Sequence, residues 1–98
     1  MVKKISRQEE SHLPAFSSHN DAAMYFFNQY KKSFKFIDSE LIGGVRCFFY
    51  HLVINHEVYE RGTDMLSRGS VSGDFGMQFL MSYQPIEIFE DGRVHLVH

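Results

Sequence analysis

Hydrophobic and polar positions alternate most regularly at the carboxyl end of the chain, over residues 84–98. Two runs rich in Ile, Val and Phe are separated there by Asp91-Gly92. Asp-Gly supplies the two positive-φ positions that a type I′ turn requires, and branched residues suit a pleated surface. The pattern therefore predicts a closing β-hairpin with a two-residue loop.

The register of this hairpin divides its side chains between two faces. With Asp91 and Gly92 as the loop, Phe89 pairs with Val94, and every second residue then shares a face. One face carries Ile86, Ile88, His95 and Val97. The second face carries Phe89, Val94 and Leu96, which we expect to form an exposed binding patch if no other element covers them.

Helical spacing of the apolar positions appears after residue 17. Ser18 is followed three positions later by Asp21, which is the capping pattern of a helix start. The apolar residues that recur at helical spacing are Ala23, Phe26, Phe27 and Tyr30. Lys31 and Lys32 complement the negative end of the helix dipole. The pattern predicts an amphipathic helix over residues 19–32.

Residues 45–54 are apolar at nearly every position, which is typical of a central strand covered on both faces. Gly43-Gly44 precedes this run and predicts a second hairpin turn, with another strand starting near Phe34. Residues 58–61 form either a third strand or part of a longer central strand.

The segment 62–76 contains four Gly and three Ser, which is the composition of a loop. A loop of this length is usually functional or mobile. Gly62 and Gly69 lie too close together to leave room for a helix between them. Residues 76–83 return to alternation and predict a further strand.

These elements indicate one α+β domain, in which the helix packs on an antiparallel sheet of about four to six strands. The 98 residues suffice for one domain, and residues 18–98 form it. Residues 1–17 have no sustained periodicity, so we expect a flexible or loosely docked arm.

Composition indicates the cellular compartment in which we expect this domain. The only cysteine, Cys47, has no partner for an internal disulfide, and no apolar run approaches the roughly 18 residues that span a bilayer. The amino terminus lacks the apolar stretch of a secretory signal. These features predict a cytoplasmic protein that does not enter a membrane.

Six histidines raise the question of a metal site. His95 and His98 are three residues apart, so on a strand their side chains point to opposite faces. The chain also lacks a Cys/His motif with metal-ligand spacing. We therefore predict neither a metal nor another cofactor.

One alternative is a small metal-independent nuclease or hydrolase. Glu57 would act as the general base, His95 or His51 as the acid, and Arg61 or Arg46 would stabilise an anionic transition state. Any chain this rich in His, Glu and Arg offers several such sets, so the pattern favours a protein that is not an enzyme.

A second alternative is nucleic-acid binding through the basic first third of the chain. Six of the ten Lys and Arg residues lie within residues 1–35, and Lys31, Lys32 and Lys35 alternate with aromatic residues. The net charge of −2 argues against it.

The function that the sequence favours is protein interaction. Fifteen aromatic side chains are many for so small a core, so some should lie at the surface or in an interface. We expect a small regulatory or interaction module that presents an apolar sheet surface or edge to a protein partner or to a second copy in a homodimer.

Overall fold

The computed structural model describes residues 2–71 and 73–98, and within them the chain forms four α-helices and one four-stranded antiparallel sheet. The helices are α1 (Arg7–Ser11), α2 (His19–Tyr30), α3 (His56–Ser67) and α4 (Gly73–Leu80). The strands are β1 (Phe34–Ile42), β2 (Val45–Val53), β3 (Tyr83–Phe89) and β4 (Val94–Leu96). The predicted α+β class is confirmed.

The strands follow one another in the sheet in chain order, β1-β2-β3-β4. The turn predicted at Gly43-Gly44 joins β1 to β2, since Ile42 pairs with Val45 and both glycines have positive φ. As predicted, β2 lies inside the sheet and pairs with β1 and β3. The long connection from β2 to β3 contains α3 and α4.

Helix α2 covers one face of the sheet. It begins where predicted, because the Ser18 hydroxyl accepts a hydrogen bond from the Asp21 N–H at 3.2 Å. It ends at Tyr30, since Lys31 adopts a positive φ of 55° and opens a 3-10 turn. The main core is formed by ten buried residues, namely Ile5, Ala22, Ala23, Phe26, Phe34, Tyr50, Leu52, Ile86, Ile88 and Leu96.

Helices α3 and α4 form a second core with the opposite face of the sheet, at one end of β2 and β3. Its buried members are Val53, Tyr59, Phe75 and Phe79. The predictions of a strand at 58–61, a loop over 62–76 and a strand over 76–83 are therefore wrong. Gly62 lies buried within α3, where a Cβ atom would overlap the Phe79 ring.

The closing hairpin exists, but its predicted register is wrong by one residue. Ile88 pairs with Val94, and the Phe89 N–H donates to the Arg93 carbonyl at 2.9 Å. The loop thus has three residues and ends at Gly92, whose φ is +95°. The extra residue moves every side chain of β4 to the other face.

This shift separates the residues of the predicted patch. Leu96 is buried in the main core, and Val94 packs against that core. Phe89 lies on the opposite face, where the Arg93 guanidinium stands 4.6 Å from the centre of its ring. The three side chains therefore do not form one exposed surface.

The segment before α2 lies along β3 and β4. Ile5 is buried, and its backbone N–H and C=O both bond to the side-chain amide of Gln84, at 2.8 and 3.0 Å. The Glu10 carboxylate accepts a hydrogen bond from the Leu96 N–H at 3.2 Å. The main core therefore includes residues from this segment.

Candidate interaction surface

Strand β1 forms one edge of the sheet and exposes a set of large apolar side chains. Four of its nine residues are large, apolar and exposed. Their exposed fractions are 55% for Phe36, 44% for Ile37, 64% for Leu41 and 49% for Ile42. An edge strand also presents backbone groups that have no neighbouring strand. This surface, which we call the β1 edge, is the candidate site.

The opposite edge of the sheet is protected. Strand β4 has three residues, and the Leu96 N–H is already bonded to Glu10 of α1. The Gln84 amide also donates to the Val97 carbonyl at 3.2 Å, just beyond the strand. Short length and coverage are two ways in which proteins block an edge. Such coverage of β4 leaves the β1 edge as the more accessible one.

A β-bulge interrupts the β1 edge at Ile37. Phe36 pairs with Tyr50, whereas Asp38 pairs with Phe49, so Ile37 is the extra residue. Because residues alternate between faces, an extra residue reverses the alternation beyond it. Lys35 and Glu40 consequently lie on the same face of the sheet, although their numbers differ in parity.

The outward-facing backbone groups of β1 follow from the pairing of β2. The Glu90 N–H donates to the Arg46 carbonyl, so even-numbered residues of β2 bond toward β3 and odd-numbered ones toward β1. The β1 residues that pair with even-numbered residues of β2 include Phe36 and Ser39. Their backbone groups therefore point outward, away from β2. The Ser39 N–H is bonded at 2.8 Å to the carboxylate of Asp38.

A second group of exposed apolar residues lies at the end of α4. Met77 and Leu80 lie on α4 and Met81 directly follows it, and all three side chains are exposed. This group lies at the end of a helix rather than on a strand, so it can contribute apolar contact without strand pairing.

The residues predicted as a catalytic set have separate partners. The His51 ring bonds through Nδ1 to the Tyr59 hydroxyl at 2.9 Å and stacks on Tyr83, with ring centres 4.0 Å apart. His95 bonds instead to Glu87 at 2.9 Å, on the neighbouring strand. No hydrogen bond among the described residues joins His51, His95 and Glu57.

Burial fixes the protonation state of His51. Desolvation lowers the pKa of its imidazole to about 4, so the ring is neutral at pH 7. Glu57 is exposed on α3, and the Arg61 guanidinium stands 4.8 Å from the centre of the Phe75 ring. His51 thus packs among the aromatic residues under α3 and α4, whereas Arg61 is exposed on α3 beside Phe75.

The lysines predicted for nucleic-acid binding belong to two elements. Lys31 and Lys32 lie in the 3-10 turn after α2, and Lys35 lies on β1 opposite His51. Phe34, which precedes Lys35, is buried in the main core. Phe36, which follows Lys35, is exposed, so it is the aromatic residue beside this lysine on which a nucleic-acid base could stack.

Sequence reasoning did not single out the four apolar residues of the β1 edge. One signal was available, since Phe34, Lys35 and Phe36 alternate and Ile37 interrupts that alternation. An extra residue in one strand interrupts the alternation of its side chains in this way.

Among residues 2–71 and 73–98, no three His, Cys, Asp or Glu side chains are placed to share a metal ion. Nor does any helix in these ranges have the length and apolar character needed to cross a membrane. Comparison with known proteins found no match to any protein-family model, curated protein or solved structure.

Proposed function

We propose that this protein is an interaction module that binds an extended protein segment along the β1 edge. The observation that carries the proposal is the nine-residue edge strand with four exposed large apolar side chains. In strand addition, main-chain hydrogen bonds supply affinity and alternate side chains supply specificity. The β1 edge offers both kinds of contact.

The β1 edge also has the charges for pairing with a second copy of itself. In an antiparallel pair centred between Ile37 and Asp38, Lys35 of each copy faces Glu40 of the other. The bulge places Lys35 and Glu40 on one face, so these opposite charges meet across the new pair. Phe36 then faces Ser39, both residues direct their backbone groups outward, and the Ser39 N–H exchanges its bond to the Asp38 carboxylate for one to the partner strand. Such a homodimer is a closed two-fold assembly.

We further propose that the module works in the cytoplasm as a regulator of its partner. Cys47 is buried, and desolvation raises the pKa of its thiol, which keeps it inert as a nucleophile. The chain has no second cysteine with which Cys47 could form an internal disulfide.

The test is a double variant that places charge on the edge, Phe36→Lys with Leu41→Lys. Both side chains are exposed, so we expect the fold to persist while edge pairing is blocked. Sedimentation equilibrium from about 10 µM to about 1 mM should show a concentration-dependent dimer for the wild type and a monomer for this variant.

The matched control is Met77→Lys with Met81→Lys, which removes exposed apolar surface at the end of α4 and leaves the β1 edge unchanged. We expect this control to dimerise as the wild type does. Partner capture from cell extract is the second measurement. The proposal would be contradicted if the wild type stays monomeric and the edge variant also retains the proteins that the wild type captures.

A further inference from the structure

A groove away from the β1 edge lies between the amino-terminal segment, the end of α2 and the start of α3. Its volume is about 770 Å³, within the roughly 300–1,000 Å³ that is typical of small-molecule sites. Its wall includes Lys3, Tyr30, Lys32, Ser33, Ile54 and His56.

The turn that builds one wall of this groove is strained. Lys31 has φ of 55° and is the only non-glycine residue with positive φ among the described residues. Lysine is not branched at Cβ, yet a positive φ is costly for any residue that has a Cβ atom. Such strain clusters at functional sites, where the surrounding structure holds it. Here it follows α2 directly and places Lys32 and Ser33 on the groove wall.

Ser33 and His56 are joined within this groove. The Ser33 Oγ lies 2.9 Å from the His56 Nε2, and Ser33 is buried. When the His56 N–H donates to the Ser33 oxygen, the serine O–H is left to donate to a ligand. An oxyanion would favour that arrangement, because it accepts hydrogen bonds and offers none when fully ionised.

The charge of the groove suits an anion. Lys3 and Lys32 both line it, and lysine binds phosphate as a mobile point charge. The acid in the lining, Glu9, is engaged in the capping box of α1, where its carboxylate accepts from the Ser6 N–H at 3.2 Å. Ile54 adds an apolar portion of the wall, and Tyr30 an aromatic one.

We propose that this groove binds a small phosphate monoester. The phosphate is held by the Lys3 and Lys32 amines and the Ser33 hydroxyl, and its organic group lies against Tyr30 and Ile54. This site is independent of strand pairing at the β1 edge, so either proposal can fail without the other.

The experiment is an NMR titration of the full chain with phenyl phosphate, with benzoate as a carboxylate of similar shape. We expect saturable shifts of the Ser33 and His56 amides with phenyl phosphate and much weaker binding of benzoate. Lys32→Gln should weaken phenyl phosphate binding by about tenfold, since it removes a charge-assisted contact. Lys35→Gln, on β1 outside the groove, is the matched control and should keep the affinity of the wild type.

Ser33→Ala provides the second variant, and we expect it to weaken binding as well while circular dichroism reports an intact fold. Lys32→Gln changes an exposed side chain, so it carries the test even if Ser33→Ala does not fold. Absence of saturation, equal binding of benzoate, or equal losses in Lys32→Gln and Lys35→Gln would overturn the proposal. So would tighter binding of a single-stranded oligonucleotide that Lys31→Gln and Lys35→Gln weaken as much as Lys32→Gln does.

Discussion

At the scale of single residues, burial decides what two of the histidines do. His19 stacks on Phe48 and bonds through Nε2 to the Tyr50 hydroxyl at 2.7 Å, on the α2 side of the sheet. His51 makes the corresponding pair of contacts with Tyr83 and Tyr59 on the other side. Desolvation lowers the pKa of both rings. Each histidine therefore acts as a neutral aromatic group that satisfies a tyrosine hydroxyl.

The lowered pKa of His51 has a consequence for stability. The folded-state pKa is about 4, whereas the unfolded chain has a histidine pKa of about 6.5. Between these values the unfolded state binds more protons. The contribution of the neutral His51 ring to stability is therefore fully present above about pH 6.5 and is lost as the pH falls toward 4. After discounting for the solvent that still reaches the ring, we expect a loss of about 2 kcal/mol between pH 7 and pH 4.5.

The measurement is urea unfolding at both pH values for the wild type and for His51→Phe. The variant removes the titrating ring, so its free energy of unfolding should fall less between the two pH values. Tyr59→Phe is the control, because it removes the hydrogen bond but leaves the His51 ring buried, and it should keep the wild-type pH dependence. Glu10, whose carboxyl pKa is lowered mainly by a hydrogen bond with His98, adds a loss common to all three proteins. Equal pH dependence in all three would show that His51 burial is not the cause.

At the scale of elements, glycine has different roles in different places. Gly44 and Gly92 adopt positive φ in turns, as expected of glycine between two strands. Gly92 also lies where a Cβ atom would overlap the backbone of Phe16, so the hairpin loop packs closely against the segment before α2. Gly62 lies inside a helix because the ring of Phe79 occupies the space of a side chain.

This difference explains which elements the sequence predicts. Helix α2 and the β1–β2 hairpin have local signals, namely the Ser18 cap and the Gly43-Gly44 turn, and both were predicted near their observed places. Helix α3 also has a local signal, since the Asn55 side chain accepts a hydrogen bond from the Val58 N–H at 3.1 Å, but the place of Gly62 inside this helix follows from its packing against Phe79, which is distant in sequence. A glycine that makes room for a ring cannot be distinguished by composition from a glycine that ends a helix.

Two glycine substitutions separate these roles. Gly62→Ala should destabilise the protein by about 1–3 kcal/mol, because the strain of an overpacked contact outweighs the better helix propensity of alanine. Gly76→Ala, in α4 where the nearest atom to an added Cβ is 3.9 Å away, should stabilise it by roughly 0.5–1 kcal/mol. Thermal unfolding followed by circular dichroism measures both. A Gly62→Ala variant as stable as Gly76→Ala would mean that α3 and α4 do not pack through this contact.

At the scale of the whole molecule, the two faces of the sheet are covered by different means. Helix α2 and the amino-terminal segment cover one face, while α3 and α4 cover one end of the other. The sequence predicted the apolar surface at the closing hairpin, whereas the edge with exposed apolar side chains is β1, at the opposite side of the sheet. Coverage of β4 depends on contacts such as Glu10 to Leu96, between residues 86 positions apart, and local pattern carries no information about them.

Gln84 holds this arrangement together from within. It is fully buried on β3, and its amide makes three hydrogen bonds, two to the backbone of Ile5 and one to the Val97 carbonyl. A buried amide is stabilising only while its partners are present, and its removal leaves those backbone groups unsatisfied. One side chain thus joins the amino-terminal segment, β3 and the residue after β4.

Gln84→Met keeps the volume of the side chain and removes all three hydrogen bonds. We expect a loss of roughly 2–4 kcal/mol in the free energy of unfolding, together with faster hydrogen exchange at the Ile5 amide. Gln78→Met, on the exposed side of α4, is the matched control and should change stability by less than about 0.5 kcal/mol. If the Ile5 amide stays as protected in Gln84→Met as in the wild type, the segment is held without the Gln84 hydrogen bonds, by its apolar contacts and by the bond from the Leu96 N–H to Glu10. Because that segment carries Lys3, its release would also weaken phosphate binding in the groove while leaving the β1 edge free to pair.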